Sequence, residues 1–168
     1  FYEDGKPRFQ KSFISGIDHG PLKSFFPNGK IAEKSYKING SYSGEFRGYY
    51  KDYDDGTLQK ICFYKDGLLN GNFTGFYPSG LTQISCKYSE GQVIGIFNKY
   101  FDLKDSTGQS LLMESGQFVD GKRSGPWVTF YPNGKLYTSG DYLNGDFNGI
   151  WLIYYPDGVL KQKGVYSG

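Results

Sequence analysis

The sequence predicts an all-β protein, an elongated single-layer antiparallel β-meander built from about seven β-hairpin repeats. Three observations carry this reading. A turn dipeptide ending in glycine recurs at Gly5, Gly29, Gly56, Gly80, Gly108, Gly134 and Gly158, in steps of 24, 27, 24, 28, 26 and 24 residues. Between these turns stands a Gly-x-x-x-Gly pair, at 16/20, 40/44, 67/71, 91/95, 121/125 and 145/149, and two residues past its second glycine comes Leu22, Phe46, Phe73, Phe97, Trp127 or Trp151. The composition agrees: 25 glycines and 19 % aromatic residues against a 38 % hydrophobic total suit rings spread over a thin sheet better than a thick aliphatic core.

Each dipeptide reads as the turn of a hairpin, because Asn-Gly and Asp-Gly supply the two positive φ angles of a two-residue type I′ turn. With that turn at Asn133-Gly134, Tyr131 faces Leu136, Thr129 faces Thr138, Trp127 faces Gly140 and Gly125 faces Tyr142, all on one side of the sheet. The seventh repeat gives Tyr155/Leu160, Trp151/Gly164 and Gly149/Tyr166, and another gives Phe73/Cys86 and Gly71/Tyr88. A Trp over a cross-strand Gly is a size match that covers bare backbone. Pro27, Pro78, Pro132 and Pro156 precede the dipeptides, at strand ends where a lost amide is tolerable. About 14 strands at roughly 4.8 Å each make a ribbon around 65 Å long, in which each repeat touches only its neighbours. Phe1-Tyr2 is expected inside the first strand, and both terminal strands are expected to be exposed edges open to edge-to-edge pairing between copies.

Two units depart from the period. The second carries three extra residues between Gly44 and Gly56, so either Phe46 or Tyr49 fills its large slot. The fourth carries four extra residues after Phe101 and two more before Gly121. Such insertions are expected to emerge as loops from one face.

The run Gly125-Pro126-Trp127-Val128-Thr129-Phe130-Tyr131-Pro132-Asn133-Gly134-Lys135-Leu136 resembles the bacterial variant of the MORN repeat. The resemblance covers nearly the whole chain, is sharp in units six and seven, and is blurred in units two and four. It implies the hairpin-array architecture and supplies no catalytic residues. It also implies a partner class, since proteins with this repeat are often labelled antitoxin or immunity components of bacterial toxin systems, while related repeats serve as scaffolds and membrane-proximal modules.

The inventory offers little chemistry. His19 is the single histidine, so any Ser/His/Asp or Cys/His arrangement would have to be built around it. Cys62 and Cys86 hold the same slot in adjacent repeats, two strands or about 9.6 Å apart, too far for a disulfide. They read as free thiols beneath large rings, and one histidine with no Cys-x-x-Cys leaves zinc without ligands. Gly116, Gly121 and Lys122 mimic a phosphate loop, but Arg123 stands where Ser or Thr is needed. Asp52 to Gly56 hints at a calcium loop whose twelfth position is Phe63 instead of Glu. Asn39-Gly40-Ser41 and Asn72-Phe73-Thr74 match the glycosylation sequon, yet both fall on the repeat landmarks. No catalytic residue, metal or cofactor is assigned.

Net charge is +2, with both signs scattered, so no footprint for nucleic acid stands out. No apolar run reaches the 18 or so residues of a membrane helix. What remains is binding, to another protein such as a toxin, or alternatively to a glycan or the cell envelope. The candidate surface lies opposite Trp127 and Trp151, where the first ring of each aromatic pair recurs at Phe25, Phe76, Tyr100, Phe130 and Tyr154 among polar neighbours such as Lys23, Lys34, Thr74 and Asn98. An exposed row of rings with basic rims suits protein recognition, although aromatic residues also stiffen strands.

Overall fold

A computed structural model of the chain describes residues 1–54 and 56–167; Asp55, half of the third turn dipeptide, and Gly168 lie outside the described residues. The chain forms one antiparallel sheet of fourteen strands with no helix among the described residues. It begins with β1 (Phe9–Ile14), β2 (Ile17–Phe25) and β3 (Ile31–Ile38), continues through the divided pair β4 (Ser41–Tyr42) and β5 (Gly44–Tyr49), and then β6 (Leu58–Lys65) and β7 (Leu68–Phe76). β8 (Thr82–Ser89), β9 (Gln92–Lys104) and β10 (Ser110–Val119) follow. β11 (Lys122–Phe130), β12 (Leu136–Leu143), β13 (Asp146–Tyr154) and β14 (Leu160–Tyr166) complete the sheet. Spatial order equals chain order, with β1 and β14 at the two ends and β4 set beside β3 off the main path. No helix among the described residues is long and apolar enough to cross a membrane.

The type I′ turns lie elsewhere than at the dipeptides where the sequence places them. The type I′ turns sit at the first glycine of each Gly-x-x-x-Gly pair: Asn39 and Gly40 have φ of 49° and 84°, and Asn144 and Gly145 have 54° and 101°. At Asn133-Gly134 only the glycine has positive φ, at 80°. There Pro132 presets the first corner of a type I turn, the Gly134 amide donates to the Tyr131 carbonyl at 2.9 Å, and the Asn133 side chain accepts the Lys135 amide at 3.0 Å. The result is a three-residue loop followed by a bulge, which pairs Phe130 with Leu136 in place of Tyr131. Tyr154 likewise pairs with Leu160 in place of Tyr155. Beyond the bulge the expected register holds: Thr129 pairs with Thr138, Trp127 with Gly140 and Gly125 with Tyr142.

One further expectation is corrected, one open alternative is resolved, and the two insertions find their places. Residues 1–8 contain the Tyr2 to Gly5 turn but no strand, because Pro7 has no amide to give and the ladder starts only at Phe9. In the second unit Phe46 fills the large slot opposite Cys62, while Tyr49 pairs with Leu58 and is buried as well. One insertion lengthens a turn and the other lengthens a ladder. The one after Tyr49 lengthens the turn, whose closing bond joins the Tyr50 amide to the Thr57 carbonyl where Tyr77 reaches only to Leu81. The one in the fourth unit extends the ladder itself, so that Lys104 pairs with Ser110.

Neighbouring repeats are locked along the turn edge by a repeated contact. The second ring of an aromatic pair donates its hydroxyl to a main-chain carbonyl one repeat later: Tyr2 to Phe25 at 2.6 Å, and Tyr50 to Phe76, Tyr77 to Tyr100 and Tyr131 to Tyr154 at 2.8 Å each. Phe26 and Phe101 occupy the same position without a hydroxyl. At the opposite edge the type I′ glycine amides do similar work, with Gly40 donating to Asp18, Gly67 to Tyr42, Gly91 to Leu69 and Gly145 to Arg123 at 2.8–2.9 Å.

On one face, here called the Trp face, large and small residues alternate across the strands. Cys62 is fully buried and faces both Phe46 and Phe73; Cys86 also faces Phe73. The tryptophans lean the other way from the sequence expectation. Trp127 lies over Gly116 of the preceding strand, where a Cβ would come within 2.1 Å of its ring, and Trp151 lies over Gly140 at 2.2 Å. Their indole N–H groups donate to the carbonyls of Gln117 and Asp141 at 3.2 and 3.0 Å. A phenylalanine therefore follows a Cys slot and a tryptophan follows a Gly slot, so slot and ring are matched in size.

Gly140 has no positive φ, so replacing it with Ala would ordinarily stabilise the chain by about 0.4–1 kcal/mol. The ring overhead reverses the sign. Gly140→Ala should cost about 1–3 kcal/mol in urea denaturation through overpacking, and Trp151→Phe in the same chain should recover part of it. A neutral or stabilising Gly140→Ala would show that the Trp151 ring does not depend on bare backbone.

Candidate functional site

The rings of the Trp face merge into one array in the C-terminal half. Phe97, Phe118 and Trp127 meet at centroid distances of 5.4–6.0 Å. Tyr142 joins Trp127 to Trp151 at 5.7 and 5.1 Å, and Phe147 joins Trp151 to Tyr166 at 4.5 and 5.3 Å. Mostly tilted and edge-on, these pairs have the geometry that ring quadrupoles favour.

Between them opens a trough of about 240 Å³. Trp127, Tyr142, Phe147, Trp151 and Tyr166 line it together with Ile153, and the paired hydroxyls of Thr129 and Thr138, 2.6 Å apart, give it a polar strip. Arg123 and Glu114 complete the lining. The guanidinium is held by Glu114 at 2.7 Å and by the Tyr142 hydroxyl at 3.0 Å, and its centre lies 4.3 Å from the Trp127 ring. A cation fixed in three ways over a ring is a rigid wall. Trp127 is 2 % exposed and serves as foundation, whereas Phe147 at 46 % and Tyr166 at 44 % are open to a ligand.

The sequence-predicted row lies elsewhere. By alternation Phe25, Phe76, Tyr100, Phe130 and Tyr154 face away from the tryptophans, and all five are half-buried rather than exposed. The carbonyls of Phe25, Phe76, Tyr100 and Tyr154 accept the tyrosine hydroxyls of the inter-repeat lock. Sequence reasoning placed Trp127 and Trp151 on a packed face and so passed over the trough; the signal available was that a single layer leaves both faces uncovered.

Three segments match the model of the MORN repeat variant, residues 18–37, 123–144 and 147–167. Each is a strand, a glycine turn and a returning strand, the unit seen in the sheet. Over those three segments the chain is similar to the MORN repeat variant. The trough is built from the two adjoining C-terminal segments that match, with Glu114 reaching in from β10. No curated protein matches the chain. Among solved structures it is similar to a protein with unknown function from Bacteroides fragilis NCTC 9343, at 9 % identity, covering 97 % of this chain and 94 % of that one with a TM-score of 0.17. A score that low carries no argument about fold or function.

The remaining chemistry-bearing residues of the sheet stay apart. No group of three or more His, Cys, Asp or Glu that could hold a metal occurs among the described residues. His19 lies in β2 with its Nδ1 buried and without a hydrogen-bond partner among the described residues. Gly121 and Lys122 of the phosphate-loop mimic fall in a type I′ turn and at the start of β11. Burial pushes the Tyr42 phenol up to about 12, with Glu33 adding to the effect, and pushes both thiols up as well.

Cys62 and Cys86 are free. Their raised pKa means that the folded chain holds protons which the unfolded chain releases near pH 8.5. Raising the pH through that range should therefore weaken the fold. Ellman titration at neutral pH should count two thiols in denatured protein prepared without reductant, and native protein should react slowly. Zero thiols in monomeric protein, or rapid native labelling of both, would contradict the buried, unpaired Cys62 and the half-buried, unpaired Cys86.

Proposed function

We propose that this chain is a non-catalytic binding module that engages another protein through the trough on its Trp face. The observation that carries the proposal is the trough itself, an aromatic-walled cleft on a face over which the single sheet lays no second layer. Its size favours a macromolecular partner: about 240 Å³ falls below the roughly 300–1,000 Å³ of small-molecule pockets and fits one anchoring side chain. Aromatic and arginine side chains are the residues enriched where binding energy concentrates. A toxin is the partner that the family resemblance suggests.

A second reading, glycan binding, is favoured by the same rings with Glu114, Arg123 and the threonine hydroxyls beside them, since apolar platforms edged by fixed polar groups also suit sugars. The row Phe25, Phe76, Tyr100, Phe130 and Tyr154 is a lesser candidate surface, its half-burial leaving less ring to offer. Pairing between copies along β1 or β14 is compatible with either reading.

Thr138→Arg fills the trough from its polar strip without removing a ring. Proteins captured by the wild-type chain and identified by mass spectrometry should be lost with this variant, with affinity falling at least tenfold, about 1.4 kcal/mol. Phe76→Ser with Phe130→Ser should lower stability and leave affinity in the folded fraction nearly unchanged. Unchanged capture by Thr138→Arg would sink the trough reading. Saccharide binding that quenches tryptophan fluorescence and disappears in Thr138→Arg would favour the glycan.

A further inference from the structure

Register brings together three cations that the sequence keeps 11 and 13 residues apart. Lys23 of β2 lies directly opposite Lys34 of β3, and Lys34 directly opposite Arg47 of β5. All three are exposed, on the face away from Leu22 and Phe46. Directly opposed side chains on adjacent strands stand about 5 Å apart, and like charges at that distance destabilise a sheet. On the Trp face such charges are neutralised: Lys11 and Lys37 share Asp18 at 2.8 and 3.7 Å, and Arg123 has Glu114. On this face Arg47 pairs with Glu45 at 2.6 Å, while Lys23 and Lys34 form no ion pair among the described residues. Lys34 contacts the Tyr49 ring instead, at 5.6 Å.

The fold also makes a recess here. The ladder from β3 passes from Lys37–Tyr42 on β4 to Lys34–Arg47 on β5, leaving four residues opposite two, with the Ser43 amide donating to the Tyr36 carbonyl at 2.9 Å. The slack opens a groove of about 510 Å³ walled by Lys34, Tyr36, Ser43, Glu45 and Arg47, with Tyr36 42 % exposed.

We propose that this groove and the adjoining Lys23 form a second docking surface, which takes an acidic extended segment of a partner protein. Three cations spread over two strand spacings, about 10 Å, extend beyond a single phosphate or carboxylate, and their long side chains can reach two carboxylates on alternate residues of an extended chain, about 7 Å apart. Glu45 stands among them and disfavours a ligand charged at every position, as a nucleic-acid backbone is; a peptide can set a neutral residue there. The proposal rests on the reading of the chain as a protein-binding module but not on the trough.

The test measures fluorescence anisotropy of a labelled peptide of alternating Glu and Ser, about ten residues long, on the full chain at about 50 and about 300 mM salt. Affinity should fall at least about tenfold with salt, as expected for exposed charges. It should also fall at least about tenfold at low salt in Lys34→Gln/Arg47→Gln, and less than about twofold in the control pair Lys161→Gln/Lys163→Gln. Circular dichroism and urea midpoints establish that both variants fold; if Lys34→Gln/Arg47→Gln does not, Lys23→Gln with Lys34→Gln replaces it. Thr138→Arg should bind the peptide as the wild type does, so a failed trough leaves this result standing. No peptide binding at low salt, equal losses in the two pairs, a loss in Thr138→Arg, or tighter binding of a single-stranded oligonucleotide or of anionic vesicles would each overturn the proposal.

Discussion

A sheet with no second layer has to bury apolar surface against itself, and the constraint that makes this possible is the match between each large ring and the small residue beside it. Trp127 lies flat on Gly116 and Trp151 on Gly140, where even a methyl group would collide, while Phe46 and Phe73 enclose Cys62. A wide ring over bare backbone removes area from water on both partners at once. Each such contact joins one hairpin to the next, so that the core is a chain of contacts along the sheet and not a centre. Leu22, Phe46, Cys62 and Trp127, all buried, mark its course.

The two long edges complete the coupling by different means. At the three-residue turns a tyrosine hydroxyl reaches a carbonyl one repeat on; at the type I′ turns a glycine amide does so. A net gain of about 1 kcal/mol per such bond is small singly. Repeated at four places along each edge, it opposes fraying where the rings do not reach. Phe26 and Phe101 lack the hydroxyl, so those two junctions rely more heavily on packing.

Much of this was legible because glycine spacing and ring spacing share one period. The repeat, the meander and the pairing of Trp127 with Gly140 and of Phe73 with Cys86 all follow from it. The place of the type I′ turns is hidden because Asn-Gly has two solutions, and the preceding proline, which decides between them at Asn133, is equally suited to a strand end. The direction in which Trp127 leans was hidden because Gly116 and Gly140 are equivalent by sequence, and only the bulge beside Gly125 brings the ring over the former. The trough and the cationic strip both depend on which strands become neighbours across irregular ladders, information that net charge and local pattern do not contain.

The hairpin of β9 and β10 runs past its neighbours, and the loop from Tyr50 to Thr57 is longer than its counterparts. In an array of near-equivalent units, a strand that slips by one whole period finds almost the same neighbours, and such states compete with the native one during folding. Unequal hairpins remove that degeneracy. A slip past the fourth unit would leave the end of the long ladder without a partner strand of its own length, so the two irregular units act as index marks that give each repeat one address along the ribbon.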